Sequence, residues 1–247
     1  MIAGLDAPIL AYAWAAVFVG GVARGYTGFG SSMIWVTSLT LVMPPASVVP
    51  VILMLEVLAS LHLLPRVWAA VQWPTVWPIT VAAWAATPLG VWLLAKASPP
   101  LMQAAISGVV LVATALLWRG HVLSRSPGMA ATIAAGVVSG VLTGSTSAGG
   151  PPVVLFYFST PAAIGVQRAS LIAYFLASDA VGAGVAALAG LVTTDSLLRV
   201  GLFLPAMLLG TALGSRQFLG AAPQAARRVA LCLLLTLGLA GLVRAVM

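Results

Sequence analysis

Apolar runs of about 20 residues follow one another along almost the whole chain, and that spacing constrains the fold more than any other feature. Each is long enough to cross a bilayer core as a helix, and only helices and closed barrels satisfy their backbone in lipid. Eight main runs fall at about residues 8 to 27, 46 to 64, 74 to 95, 101 to 118, 129 to 144, 164 to 190, 197 to 219 and 226 to 246. Two further apolar pieces, near 32 to 43 and 151 to 158, are too short to span, and each follows a Gly/Ser/Thr cluster. They read as half-helices or re-entrant pieces. The expected fold is an all-α polytopic membrane protein of about eight transmembrane helices. At 62% hydrophobic and 6% charged, no water-soluble core could absorb this chain.

The net charge of +7 comes from 11 Lys and Arg against four acids, Asp6, Glu56, Asp179 and Asp195. Most of the cations sit at the ends of apolar runs, where anionic headgroups attract them, so the excess predicts a lipid bilayer partner and no nucleic acid. Cys232 stands alone in the last run, which excludes an internal disulfide and a cysteine metal site. Residues 1 to 20 lack the basic start of a signal peptide and read as a retained first helix, which suggests a multi-pass protein of the bacterial inner membrane. No HExxH, Walker loop or Ser/His/Asp set occurs, so neither an enzyme, an ATP-driven pump nor a metal site is expected.

The longest polar break, within Trp118 to Gly128, divides the chain almost in half, and the sequence repeats weakly across it. Taken as domains, residues 1–118 form a first membrane repeat, 119–128 a polar connecting loop and 129–247 a second repeat. Gly21 through Gly28 leads to Pro44-Pro45-Ala46 and a helix with Leu58-Ala59-Ser60. Gly136 through Gly144 leads to Thr160-Pro161-Ala162 and a helix with Leu176-Ala177-Ser178. Four crossings per copy would make the repeats parallel, and a fifth would invert them. Shortened, glycine-interrupted segments at matching places in two halves point to a transporter's binding site.

Those interruptions are the candidate substrate site. The first contains Arg24, Thr27, Gly28, Gly30, Ser31 and Ser32, and the second Gly144, Ser145, Thr146, Ser147, Gly149 and Gly150. Non-helical backbone at membrane depth frees N–H groups, and the N-terminus of a following short helix favours an anion. The competing reading is close helix packing through small residues. Arg24 and Arg168, the latter within Gln167-Arg168-Ala169-Ser170, are placed where an Arg normally faces a cavity or a partner. They are candidate anion ligands, with Gln167 and Ser170 beside them. The alternatives are snorkelling or an ion pair with Glu56 or Asp179. These two mid-run carboxylates are candidate proton carriers or counter-charges, which makes protons a candidate coupling ion.

The two glycine clusters resemble those of the TauE/SafE sulfite exporter family, also called the TSUP family of anion transporters. The likeness rests on Gly25, Thr27, Gly28, Phe29 and Gly30 in the first half and on Gly140, Gly144, Gly149, Gly150, Pro151 and Pro152 in the second. Arg168-Ala169-Ser170 is similar to the stretch that opens the next long helix in that family, whereas Ala46-Ser47-Val48-Val49-Pro50 departs from it. Ser31-Ser32 stands where glycine is more common. The resemblance implies duplicated halves and a secondary transporter that exports small sulfur-containing anions, such as sulfite, sulfoacetate or related organosulfonates, without a cofactor. The rival class is a membrane subunit or scaffold that transports nothing. Oligomeric state is not legible.

Overall fold

The computed structural model describes residues 4–119, 128–158, 160–217 and 223–246. The residues between Arg119 and Gly128, with His121 and Arg125 of the expected connecting loop, lie outside it. So do the side chains of Arg227 and Arg228.

The described residues form ten α-helices: α1 (Ala7–Thr27), α2 (Ser31–Leu39), α3 (Pro45–Leu63), α4 (Trp73–Lys96), α5 (Pro99–Arg119), α6 (Met129–Thr146), α7 (Gly150–Phe158), α8 (Ile164–Leu188), α9 (Thr194–Gln217) and α10 (Pro223–Val246). Prolines open α1, α3 and α4 near the first turn, where a missing N–H costs nothing. Seven helices are long and apolar enough to cross a membrane, and α10 adds the apolar run Leu231–Ala245. The protein is therefore an all-α, multi-pass membrane protein. The short pieces α2 and α7 are nine residues each, or about 13 Å, less than half a bilayer core.

Glycines set the helix pairs. A Cβ at Gly21 would meet Met207 O and one at Gly25 the backbone at Thr211 and Ser215, so α1 and α9 run parallel at backbone contact. Gly136, Gly140 and Gly144 face Ile79, Ala83 and Thr87 in the same way, which makes α4 and α6 parallel too. By contrast Gly238 faces Leu111 and Gly241 faces Ser107 and Gln103, so α5 and α10 are antiparallel. Small residues allow such approach where lipid gives no hydrophobic drive.

The short helix α2 doubles back along α1. Tyr12 donates to Ser38 O (3.2 Å), and the fully buried Trp35 donates to Val17 O (2.9 Å) while its indole fills the space above Gly20. At the surface, Trp68, Trp77 and Trp118 stand about half exposed, and Trp68, Trp73, Trp77 and Trp84 form a chain of ring contacts. Tryptophan at helix ends suits the headgroup level. His62 accepts from Arg66 Nη1 (3.3 Å) near the end of α3.

Candidate functional site

Both Gly/Ser/Thr clusters interrupt the helices, and the helix ends that enter them share one geometry. Gly28 caps α1 in the left-handed region at φ 82°, and Ser147 caps α6 at φ 55°. Thr27, the last residue of α1, donates to Ala23 O (2.8 Å) and accepts from Phe29 N. Thr146, the last residue of α6, donates to Leu142 O (2.8 Å) and accepts from Ala148 N. Gly30 then stands at φ 88° as the N-cap of α2. These helix ends pair Gly25 with Gly144 and Gly30 with Gly149. Matching Gly21 to Gly136 by sequence is thus one helical turn out, a slip that leaves a glycine on the same face.

A cavity of about 370 Å³ opens at the first interruption. Its polar lining is Tyr26, Thr27, Gln167 and Arg168, and Gly30 exposes backbone to it. A Cβ on Gly30 would meet nothing within 4 Å. The first N–H groups of α2, at Ser31, Ser32 and Met33, have no carbonyl one turn back within the helix. Apolar walls come from Phe29, Phe158, Leu117, Leu171, Leu231 and Leu234, with Phe29 and Phe158 in edge contact at 6.0 Å. Arg168 is 9% exposed; its Nη2 donates to Gly25 O (2.6 Å), and its stem lies against Gly28. Gln167 donates to Thr160 O (3.2 Å) and Ala162 O (3.0 Å), which ties the start of α8 to the segment before it.

Arg24 does not line this cavity. Its guanidinium, 1% exposed, lies behind the first interruption, with Nη1 2.9 Å from Glu56 Oε2, Nη2 donating to Ser60 Oγ (2.5 Å) and its carbon 4.8 Å from the Phe175 ring centre. Ser31 donates to the other Glu56 oxygen. Of the two arginines, Arg24 therefore takes the ion-pair alternative, because Glu56 meets it inside the protein. Asp179, 3% exposed, belongs to the same neighbourhood, with Arg24 and Glu56 the charged groups that act on it. Its Oδ2 has no donor among the described residues.

The second interruption is closed. Ser145, Thr146, Ser147, Gly149 and Gly150 are all buried. Ser145 and Thr146 donate to their own helix, at Val141 O (2.7 Å) and Leu142 O. Gly144 packs on Thr87 of α4 and Gly149 on Thr143 and Ser139, so these glycines serve close packing. Gly150 abuts the Phe175 ring. Ser147 Oγ has no partner among the described residues. Ser170 lies elsewhere, accepting from Gln72 N (3.0 Å) at the start of α4, and Ser32 is half-buried on the first turn of α2. Sequence reasoning gave no sign of the walls from α5, α7 and α10, since long-range packing alone brings Leu117, Phe158 and Leu231 beside Arg168. Phe175 and Ser60, which hold Arg24, were equally hidden.

The probable sulfite/organosulfonate exporter TauE of Cupriavidus necator (strain H16) is 26% identical over 219 residues, covering 86% of this chain and 85% of that protein. No solved structure matches the chain. The family model described as sulfite exporter TauE/SafE matches residues 13–241, and with the helical body and its paired interruptions this shows that the chain belongs to the TauE/SafE family of membrane anion exporters.

Proposed function

We propose that this chain, a multi-pass protein of the bacterial inner membrane, exports small sulfur oxyanions such as sulfite or a small organosulfonate, and that Arg168 holds the substrate in the cavity beside Gly30. The observation that carries the reading is the cavity itself, which a nearly buried arginine lines together with Thr27 and with Gly30, the N-cap of α2. A guanidinium pairs with two oxyanion oxygens at once, and free helix N–H groups with a positive dipole end favour the same charge. The volume suits a small ligand and the apolar walls keep water out.

The two halves are inverted copies in this reading. Corresponding helices α5 and α10 run antiparallel, whereas the cross-pairs α1 with α9 and α4 with α6 run parallel, the pattern expected of a two-fold axis in the membrane plane. The short helix in each half, with the segments that flank it, then makes the fifth crossing. The first interruption, open to a cavity, and the second, buried, become equivalent sites on opposite sides, one open and one shut. Alternating access exchanges these states. Ser147, a non-glycine at positive φ with an unpartnered hydroxyl, is poised to bind when its side opens.

Counterflow in proteoliposomes tests this: labelled sulfite should enter vesicles preloaded with unlabelled sulfite faster than it enters protein-free vesicles. Background rates for sulfite and for every organosulfonate tried would overturn the reading and favour a scaffold.

A further inference from the structure

We propose that the two interruptions serve opposite sides of the membrane with unequal strength. The cavity beside Arg168 is the cytoplasmic loading side, where the anion is held tightly, and the interruption before α7 is the periplasmic release side, where it is held weakly. This rests on the anion-export reading with inverted halves, and adds to it a sidedness and an order of affinities.

Element lengths fix which positions correspond. Helices α2 and α7 have nine residues each, and connections of equal length lead from them to Pro45 of α3 and Ile164 of α8. With Gly28 matching Ser147 and Gly30 matching Gly149, the counterparts of Gln167 and Arg168 are Val48 and Val49, both buried. A valine side chain supplies neither charge nor donor, whatever surrounds it. The short helices differ in the same sense. Ser31, Ser32 and Met33 open α2 with an N–H each, whereas their counterparts are Gly150, Pro151 and Pro152, and proline has no N–H. Hydroxyls do not make up the difference. Ser145 and Thr146 donate to carbonyls of α6, which leaves Ser147, 3% exposed and with no partner for its Oγ among the described residues. An anion at the second interruption thus meets fewer donors and no cation in the place of Arg168. Each hydrogen bond to a charged group that is lost lowers affinity by about tenfold or more.

Basic residues give the sidedness. The cavity is lined by Thr27 at the end of α1, Leu117 near the end of α5, Ile164 at the start of α8 and Leu231 in the first half of α10, so these ends share one face. The end of α9 joins them, because α9 runs parallel to α1, and so does the start of α4, where Gln72 N donates to Ser170. To that face belong Arg119, Arg216, Arg66 in the turn between α3 and α4, and the first turns of α10 with Arg227 and Arg228. The sequence that joins α5 to α6 adds Arg125. The other face has Lys96, Arg199 and Arg244, with Asp6 and Asp195 beside them. An excess of Lys and Arg in short loops and at helix ends marks the cytoplasmic side. The cavity accordingly faces the cytoplasm, where an exporter collects its substrate. Unequal affinity moves no net anion by itself, since the gradients set the direction. It does bias the conformations, because bound anion stabilises the state that holds it better.

The test measures sulfite counterflow in right-side-out and inside-out membrane vesicles from cells making the full chain, with the external concentration varied and vesicles lacking the protein as background. Half-saturation should come at a concentration at least about tenfold lower at the cytoplasmic face than at the periplasmic face. Pro152→Ala returns an N–H to α7 and should narrow that gap, mainly by tightening the periplasmic face. Equal half-saturation at the two faces of wild type, or a tighter periplasmic face, overturns the order of affinities even if Pro152→Ala does not fold. A gap that folded Pro152→Ala leaves unchanged overturns the part assigned to the missing N–H groups. Phe29→Cys, with Cys232→Ser, should react with a membrane-impermeant thiol reagent from the cytoplasmic face, and reaction from the periplasmic face alone overturns the sidedness. Background flux from both faces for sulfite and for every organosulfonate tried would sink the export reading instead, and the thiol reaction then still decides which way the cavity faces.

Discussion

Arg168 on α8 donates a 2.6 Å hydrogen bond to the carbonyl of Gly25 on α1, and this bond joins the wall of the cavity to the helix that carries Arg24. The carbonyl is within reach because a neighbouring turn, at Gly28, has left the helix. A side chain that both lines the cavity and latches a helix end is a natural point for an occupant of the cavity to influence conformation.

Replacing Arg168 by Lys keeps the charge but loses the planar fork. Sulfite counterflow should fall about tenfold, equivalent to about 1.4 kcal/mol, with a melting temperature close to wild type. Gln should lower it further. Wild-type rates in the Lys variant would show that this residue does not hold the anion.

Arg24 and Glu56 should behave as a structural pair. Glu56→Met leaves a buried guanidinium without its counter-charge and should cost about 3–5 kcal/mol. Arg24→Met combined with Glu56→Met should recover much of that loss, giving a coupling energy far from zero in a double-mutant cycle of thermal unfolding. Additive losses would mean that the two side chains do not depend on each other.

The glycines divide by duty, and alanine should separate them. Gly25→Ala drives a Cβ into the backbone of α9 and should lower the melting temperature by several degrees, as should Gly140→Ala against α4. Gly30→Ala meets no neighbour, so its expected cost is only the strain of the left-handed backbone, about 1 kcal/mol. Its effect should appear in anion affinity more than in stability. Equal melting losses at Gly25 and Gly30 would contradict this division.

Access from opposite sides is open to cysteine labelling once the exposed Cys232 is replaced by Ser. A cysteine at Phe29 should react with a membrane-impermeant thiol reagent from one side of oriented vesicles. A cysteine at Ser147 should react from the other side, and faster during turnover. Labelling of both positions from the same side would rule out inverted halves.

The apolar run lengths and their Pro and Gly boundaries determined the eight long helices and the two short ones, because a helix in lipid must close its own hydrogen bonds and span a fixed thickness. Interruptions at Gly28 and Ser147 were legible for the same reason, since Gly/Ser/Thr clusters cannot sustain an apolar helix at depth. The sequence left Arg24 and Arg168 alike, two cations within or near the ends of apolar runs. Tertiary structure separated them, as Glu56 and Ser60 reach Arg24 from α3 whereas Arg168 donates to the Gly25 carbonyl and lines the cavity. Glu56 and Asp179 were likewise indistinguishable until packing set Glu56 against the Arg24 guanidinium and the Ser31 hydroxyl. Helix direction also lay beyond the sequence, because a glycine's small size permits close approach without stating which backbone approaches or which way it runs.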